Sequence, residues 1–413
     1  MGSVGNVCPV RVFSRQDVQR FWLMGAIFPR CRRISAPVGY NGVQGLPTRR
    51  NFQGVMTFSS TSTFSFGDSQ NRQIGIWLLI CAVMVFAMTV LGGMTRLTHS
   101  GLSMVTWEPL AGILPPLSPE AWVEEFENYK QFPEYQKINM GMSLAGFKAI
   151  FWYEFAHRLL GRTVGLVFAL PFAYFLVKRR VDRRLSLHLG ALFVLGGLQG
   201  VLGWYMVSSG LVDRPDVSQY RLTAHLGLAV LIYGYMIWLA MAVLLPSARP
   251  WGETPLVGFR VATFAIAASA FILILSGGLV AGLDAGFAYN TYPTMDGAWV
   301  PAGMLTDPFG NITTVQFLHR WLGPAMAILV VLVWGRGLYL ALPRRAMAAH
   351  YWLIFTLAAQ GATGIGTLLL VVPVPLASIH QAGALVFFTV AIVAAFLTDQ
   401  ARYEPAPDIK VLP

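Results

Sequence analysis

Between Arg345 and Asp399 the chain contains no Asp, Glu, Lys or Arg. A bilayer is crossed by about 20 mostly apolar residues, so this uncharged stretch is too long for one crossing and too apolar for a water-facing helix. Pro373 and Pro375 fall inside it. Proline removes a helical hydrogen-bond donor and clashes with the preceding turn, so the stretch divides into two helices. Reading the rest from charge to charge gives six earlier apolar runs. They extend from Arg72 to Arg96, Trp152 to Lys178, Arg184 to Asp213, Arg221 to Arg249, Arg260 to Asp284 and Thr314 to Arg336. The expected fold is therefore an all-α integral membrane protein with eight transmembrane helices. The 12% charged share supports this, since soluble domains carry about 25%.

The net charge of +11 invites a nucleic-acid partner until the charges are located. Residues 1–72 hold nine arginines and two acids, Asp17 and Asp68, giving 9 − 2 = +7 and leaving +4 for the remaining residues. This leader also has eight serines and no glutamate. Arg-rich, Ser-rich and acid-poor is the composition of a mitochondrial transit peptide. We read residues 1–72 as that peptide with a disordered N-terminal region, and no nucleic-acid partner is expected. Of three cysteines, Cys8 and Cys31 lie in the leader and Cys81 in an apolar run, so the body has no pair to bridge and no CxxC site.

Lysine and arginine in short loops mark the inner side of a membrane. The connection between the second and third spans reads KRRVDRR (178–184), and that between the sixth and seventh holds Arg336, Arg344 and Arg345. The loops after the first and fifth spans are acidic. Both termini are expected inside, which is the matrix if the chain is imported into the mitochondrial inner membrane. In the first outer loop, Ser118-Pro119-Glu120 reads as a helix start, and Trp122, Phe126 and Tyr129 share one helical face. A short helix lying on the membrane surface is expected there.

The chain also matches itself. Leu91-Gly92-Gly93 corresponds to Ser276-Gly277-Gly278, Glu154-Phe-Ala-His157-Arg158 to Gln316-Phe-Leu-His319-Arg320, Gln199-Gly-Val-Leu-Gly203 to Gln360-Gly-Ala-Thr-Gly364, and His225 to His380. Four helices per half make the halves parallel, so the expected architecture is two four-helix bundles related by a pseudo-two-fold axis along the membrane normal, unlike inverted-repeat transporters. The N-terminal bundle covers 73–248, including the outer loop 94–150, and the C-terminal bundle covers 249–398. Residues 399–413 form an inner tail.

The repeat selects four of seven histidines: His157, His225, His319 and His380 pair across it, each near the outer end of its helix. Two histidines on facing helices of a four-helix bundle clamp a haem iron from both sides. Arg158 and Arg320 follow at the bundle mouths and suit haem propionates. Gln199 and Gln360 are expected to hydrogen-bond within the haem pocket or between helices, and the nearby glycines to permit close approach. His99, His188 and His350 read as structural. The repeat breaks three residues before the first ligand, where Glu154 faces Gln316. A buried carboxylate suits proton transfer and a glutamine does not titrate, so chemistry is expected in the first bundle and a permanent electron-carrying haem in the second. An ion pair between Glu154 and Arg158 or Arg162 is the structural alternative, and the two are compatible.

The stretches GGMTRLTHSGLSM (92–104), FPEYQKIN (132–139), YEFAHRLLGR (153–162), QGVLGWYMVSSGL (199–211), VSQYRLTAHLG (217–227), FLHRWLG (317–323) and SIHQAGA (378–384) resemble the haem A synthase family, in its mitochondrial and alphaproteobacterial type. The resemblance runs from about residue 73 to 398. It implies oxidation of the C8 methyl of haem O to a formyl group, through successive hydroxylations to a diol that dehydrates, giving haem A for cytochrome c oxidase. It implies His157 and His225 as ligands of the substrate haem, His319 and His380 as ligands of a cofactor haem b, and Glu154 as the catalytic carboxylate. Ferredoxin and haem O synthase are implied partners, and a homo-oligomer is left open. The cysteine pair of some bacterial members is missing from residues 94–150. The alternative from another class is a di-haem b electron-transfer protein without a product. Such a protein needs the histidines but not the Glu/Gln asymmetry.

Overall fold

The computed structural model describes residues 68–105, 111–211, 217–245, 257–304, 307–340 and 342–400. Nearly all of the expected transit peptide, with Cys8 and Cys31, and residues 401–413 of the tail lie outside the described residues. The described chain is helical, with no named strand. Eight helices are long and apolar enough to cross a membrane. They are α1 (Asp68–Leu97), α4 (Leu144–Val177), α5 (Arg183–Gly210), α6 (Gln219–Leu244), α7 (Val257–Gly282), α8 (Ile312–Tyr339), α9 (Arg344–Leu369) and α10 (Val374–Gln400). Two short helices, α2 (Pro119–Lys130) and α3 (Pro133–Lys137), occupy the first outer loop. α1 begins four residues before the expected end of the leader at residue 72.

In sequence order each half closes a ring of neighbours: α1 packs on α4, α4 on α5, α5 on α6 and α6 on α1; α7 packs on α8, α8 on α9, α9 on α10 and α10 on α7. The rings meet where α1 and α6 contact α10 and α6 contacts α7. One continuous apolar cluster joins them, including Leu78, Val230, Ile266 and Ala391. The outer helices instead turn Leu170, Val201, Leu332 and Phe355 outward, where each is more than half exposed. Water would penalise such a surface, whereas lipid tails solvate it.

The outer-loop helix forms as its cap signals dictate. Ser118 Oγ accepts from Ala121 N at 3.1 Å and Pro119 fills the first turn. Its aromatic face, however, packs against protein rather than lying on the membrane. Phe126 stacks on Phe147 at 5.1 Å between ring centres, and Trp122 meets Phe151 edge-on at 4.9 Å. These partners exist because α4 starts at Leu144, capped by Ser143 Oγ accepting from Gly146 N, and not near Trp152. The extra turns stand beyond the apolar run. Lys148, in these turns, lies with Nζ 4.9 Å from the Trp122 ring centre. Tyr129, on the same face of α2, is fully buried and its phenol accepts from Asn139 Nδ2 at 2.8 Å. Burial, reinforced by Glu134, pushes that phenol above the ordinary tyrosine range.

Candidate haem-binding site

Each of the four selected histidines lies against a glycine on the neighbouring helix, and the glycines are themselves repeat counterparts. A Cβ on Gly92 would lie 3.0 Å from His157 Nε2, and one on Gly277 would lie 3.3 Å from His319 Cε1. In the other pair, a Cβ on Gly203 would come within 2.9 Å of His225 and one on Gly364 within 2.7 Å of His380. The four rings thus occupy space that any side chain at these positions would fill. This is the close approach expected of Gly203 and Gly364, whereas Gly200 and Gly361 of the same stretches meet nothing within 4 Å. His157 and His225 are near enough to interact electrostatically. The rings of His319 and His380 have centroids 6.4 Å apart and stand nearly perpendicular, at 88°.

That separation can be compared with the ligand it would serve. Metal–nitrogen bonds of about 2 Å, and about 1 Å more to each ring centre, put two axial imidazoles about 6 Å apart. The 6.4 Å separation of the second-half pair is close to this value. Buried polar atoms around the rings also stand without hydrogen-bond partners, among them Gln199 Oε1, Gln360 Oε1 and His225 Nδ1. Native interiors rarely leave such atoms unpaired, so they fit a site completed by a bound group.

Gln199 and Gln360 perform one task in both halves. Gln199 Nε2 donates to the His225 carbonyl at 3.0 Å, and Gln360 Nε2 donates to the His380 carbonyl at 2.9 Å. They therefore tie the histidine-bearing turn of the last helix of each half to its neighbour, which is the helix-to-helix reading. Their orphaned Oε1 atoms leave a role toward a bound group in place.

Glu154 is 3% exposed, and its carboxylate accepts from Ser103 Oγ at 2.8 Å and from Met104 N at 2.7 Å while pairing with Arg158. The structural alternative is thus realised, with Arg158 as the partner. Arg158 Nη2 also donates to the Met104 carbonyl at 2.7 Å. In the second half, Gln316 is equally buried and donates to the Tyr289 carbonyl at 3.0 Å, and Arg320 Nη2 donates to that same carbonyl. Since 289 − 104 = 185, the spacing of the glycine pair (277 − 92), Met104 and Tyr289 are counterparts. Each arginine therefore latches the loop that follows the first helix of its half. Arg320 adds the Thr291 and Thr294 carbonyls at 2.8 and 3.2 Å. Sequence reasoning proposed propionates for these arginines and missed the loop carbonyls, because a backbone acceptor leaves no mark in the residue types. Arg162 reaches the Gly112 carbonyl at 2.9 Å.

The histidines read as structural behave so in two of three cases with a hydrogen bond. His188 Nδ1 lies 2.6 Å from the Tyr235 hydroxyl, and His350 Nδ1 lies 2.8 Å from the Ala346 carbonyl. His99 adopts a left-handed backbone with φ 48°, as does its counterpart Asp284 with φ 52°. Asp284 pairs with Arg96 across the halves at 2.7 Å. Among the described residues no three His, Cys, Asp or Glu side chains gather in a metal-holding group. Two axial imidazoles need no such group, since a porphyrin supplies the other iron ligands.

Comparison with known proteins agrees. The COX15-CtaA family, described as cytochrome oxidase assembly protein, matches residues 75–392. A protein named heme A synthase from Nitrosospira multiformis is 51% identical over 347 residues, covering 82% of this chain and 98% of its own. Those of Nitrosomonas eutropha and Parvibaculum lavamentivorans, also named heme A synthase, are 48% and 47% identical, covering 81% and 79% of this chain and 96% and 94% of their own. A site of four glycine-backed histidines in an eight-helix membrane body, matched over most of its length, leads to one conclusion: the chain belongs to the COX15-CtaA family of cytochrome oxidase assembly proteins.

Proposed function

We propose that this chain is a haem A synthase, an oxidoreductase that converts the C8 methyl of its substrate, haem O, to a formyl group. Successive hydroxylations of that carbon to a diol, followed by loss of water, account for the change. The observation that carries the reading is the contrast between matched ligand positions and unmatched carboxylate: four glycine-backed histidines repeat, while Glu154 is replaced by Gln316.

In this reading His157 and His225 hold the substrate haem in the first bundle, and Glu154, one turn before His157, takes up and passes on protons released as the methyl is oxidised. Ser103 Oγ and Met104 N fix the direction of its carboxylate, and Arg158 balances its charge. His319 and His380 would hold haem b in the second bundle; when bound, that group supplies one-electron transfer. Arg158 and Arg320, one residue past the ligands, are assigned to the propionates in addition to their loops. The parallel repeat about an axis along the membrane normal is supported by the two closed rings of neighbouring helices. The Arg-rich leader and the basic loops support a mitochondrial inner membrane location with both termini in the matrix. Ferredoxin and haem O synthase are the partners that the family resemblance suggests.

Extracted haems test the proposal. Purified protein should contain haem O, a hydroxylated intermediate or haem A beside haem b, and His319→Ala should lose the haem b. A protein holding haem b alone, with no haem O product in cells lacking the endogenous enzyme, would establish the di-haem electron carrier instead. N-terminal sequencing of protein imported into mitochondria should find the leader removed; a protein that keeps it would overturn the location.

A further inference from the structure

The repeat breaks at two more positions, both beside the second pair of histidines. Ser276 Oγ lies 2.7 Å from His319 Nδ1, and Thr363 Oγ1 lies 3.3 Å from His380 Nδ1. Each hydroxyl oxygen also lies within hydrogen-bond reach of a carbonyl one turn back, Ser276 Oγ 2.7 Å from the Leu273 carbonyl and Thr363 Oγ1 3.1 Å from the Gln360 carbonyl. A hydroxyl has a single proton, and when it donates that proton to the carbonyl its oxygen accepts from the imidazole. Rings paired in this way carry their hydrogen on Nδ1 and present Nε2 as a bare lone pair, the form that ligates iron.

The first half lacks both groups. The counterpart of Ser276 is Leu91 (276 − 185) and that of Thr363 is Leu202 (363 − 161). His225 Nδ1 is buried without a partner, and its Nε2 is the atom in contact with Gln199 Nε2, at 3.4 Å. An amide nitrogen donates, so this contact competes for the lone pair that iron would take.

Building on the function proposed above, we infer that Ser276 and Thr363 are positioning residues that fix His319 and His380 as Nδ1–H tautomers and so make the second bundle the site that retains its haem, whereas Leu91 and Leu202 leave the first bundle able to release its haem as product. The asymmetry suits the division of labour: a cofactor must stay, and a substrate must leave once oxidised. A hydrogen bond accepted from Nδ1–H makes the ligating nitrogen more basic, and loss of such an outer partner weakens metal binding roughly 10- to 100-fold. More basic ligands also favour ferric over ferrous iron.

The experiment compares the wild-type protein with Ser276→Ala, Thr363→Val and the double variant, in detergent, with apomyoglobin in excess as haem acceptor. The readouts are the release rate of haem b and its midpoint potential. The double variant is expected to release haem b roughly 10- to 100-fold faster and to show a higher midpoint potential. Ser276→Thr, which keeps a hydroxyl, should stay near wild type and so separate hydrogen bonding from damage to folding. If the double variant is folded and matches wild type in release rate and potential, the inference is wrong. If wild-type haem b survives His319→Ala, the ligand assignment beneath it fails instead, and that result is read independently.

Discussion

Replacing Glu154 by glutamine removes a charge without removing the shape, which makes it the sharpest test of the carboxylate. The side chain is buried, accepts two hydrogen bonds of 2.8 and 2.7 Å, and pairs with Arg158, whose own side chain is only 10% exposed. Breaking a buried ion pair outright destabilises by about 3–5 kcal/mol because a charge is left stranded. Here the introduced amide oxygen can still accept from Met104 N, which turns its NH2 toward Arg158, a donor facing a donor, although Arg158 keeps the Met104 carbonyl. The expected loss is at the lower end of that range, about 3 kcal/mol, seen as a fall of several degrees in Tm in detergent. Catalysis should suffer far more. Loss of a positioned proton-transfer group lowers rates roughly 10²- to 10⁴-fold. The assay is the haem A formed per folded protein in cells lacking the endogenous enzyme, with folded protein counted by its haem b. Wild-type haem A per folded molecule would refute the catalytic role and leave Glu154 as a loop latch, the task Gln316 performs in the second half.

Three further outcomes follow from the geometry. Gly364→Ala should displace the His380 ring and deplete haem b, whereas Gly361→Ala, which meets nothing within 4 Å, should retain it; the haem b absorbance of each purified variant checks this. Gly93→Ala should drive the Gln381 side chain away, since its Oε1 lies 1.5 Å from the added Cβ, and should break its 2.8 Å hydrogen bond to the Thr89 carbonyl, lowering thermal stability by about 1–2 kcal/mol in a detergent melt. Tyr129→Phe should cost about 1 kcal/mol by freeing Asn139. Because the folded-state pKa of the Tyr129 phenol is raised, its contribution is full below the ordinary value of about 10 and is lost as pH climbs past it; limited proteolysis of the outer loop should show an alkaline step that the variant lacks.

The membrane body was legible because charge is expensive in lipid, so its absence marks the spans with little help from local propensity. Where the reading slipped, the cause was the same rule applied outside its range. The second apolar run was started at Trp152, but α4 begins at Leu144, continues past the apolar run and carries Lys148 against the Trp122 ring. The aromatic stripe of α2 was visible, while its partner was not, since Phe147 and Phe151 belonged to a helix not expected to reach that far. The repeat also picks out the four histidines whose rings the structure sets against glycines. Ser276 and Thr363 could have been found the same way, because the substitutions of Leu91 and Leu202 break the repeat as openly as Glu154 does. A hydroxyl on an apolar helix attracts less notice than a carboxylate, and its meaning depends on which groups surround it, which only coordinates reveal. The arginine latches left no signal, since their acceptors are backbone carbonyls.

The paired glycines of α1 and α7 have a mechanical consequence. Adjacent residues on a helix point about 100° apart. Gly92 clears the ring of His157 on one side, and Gly93 admits Gln381 from the other half of the protein; Gly277 and Gly278 do the same for His319 and for Thr223 and Leu226. Neither helix can rotate about its axis or slide by a residue without closing one clearance or the other. The rotational phase of each ligand pocket is thereby geared to the seam between the halves, like two cogs on one shaft, and any repacking of the seam is transmitted to both pockets at once.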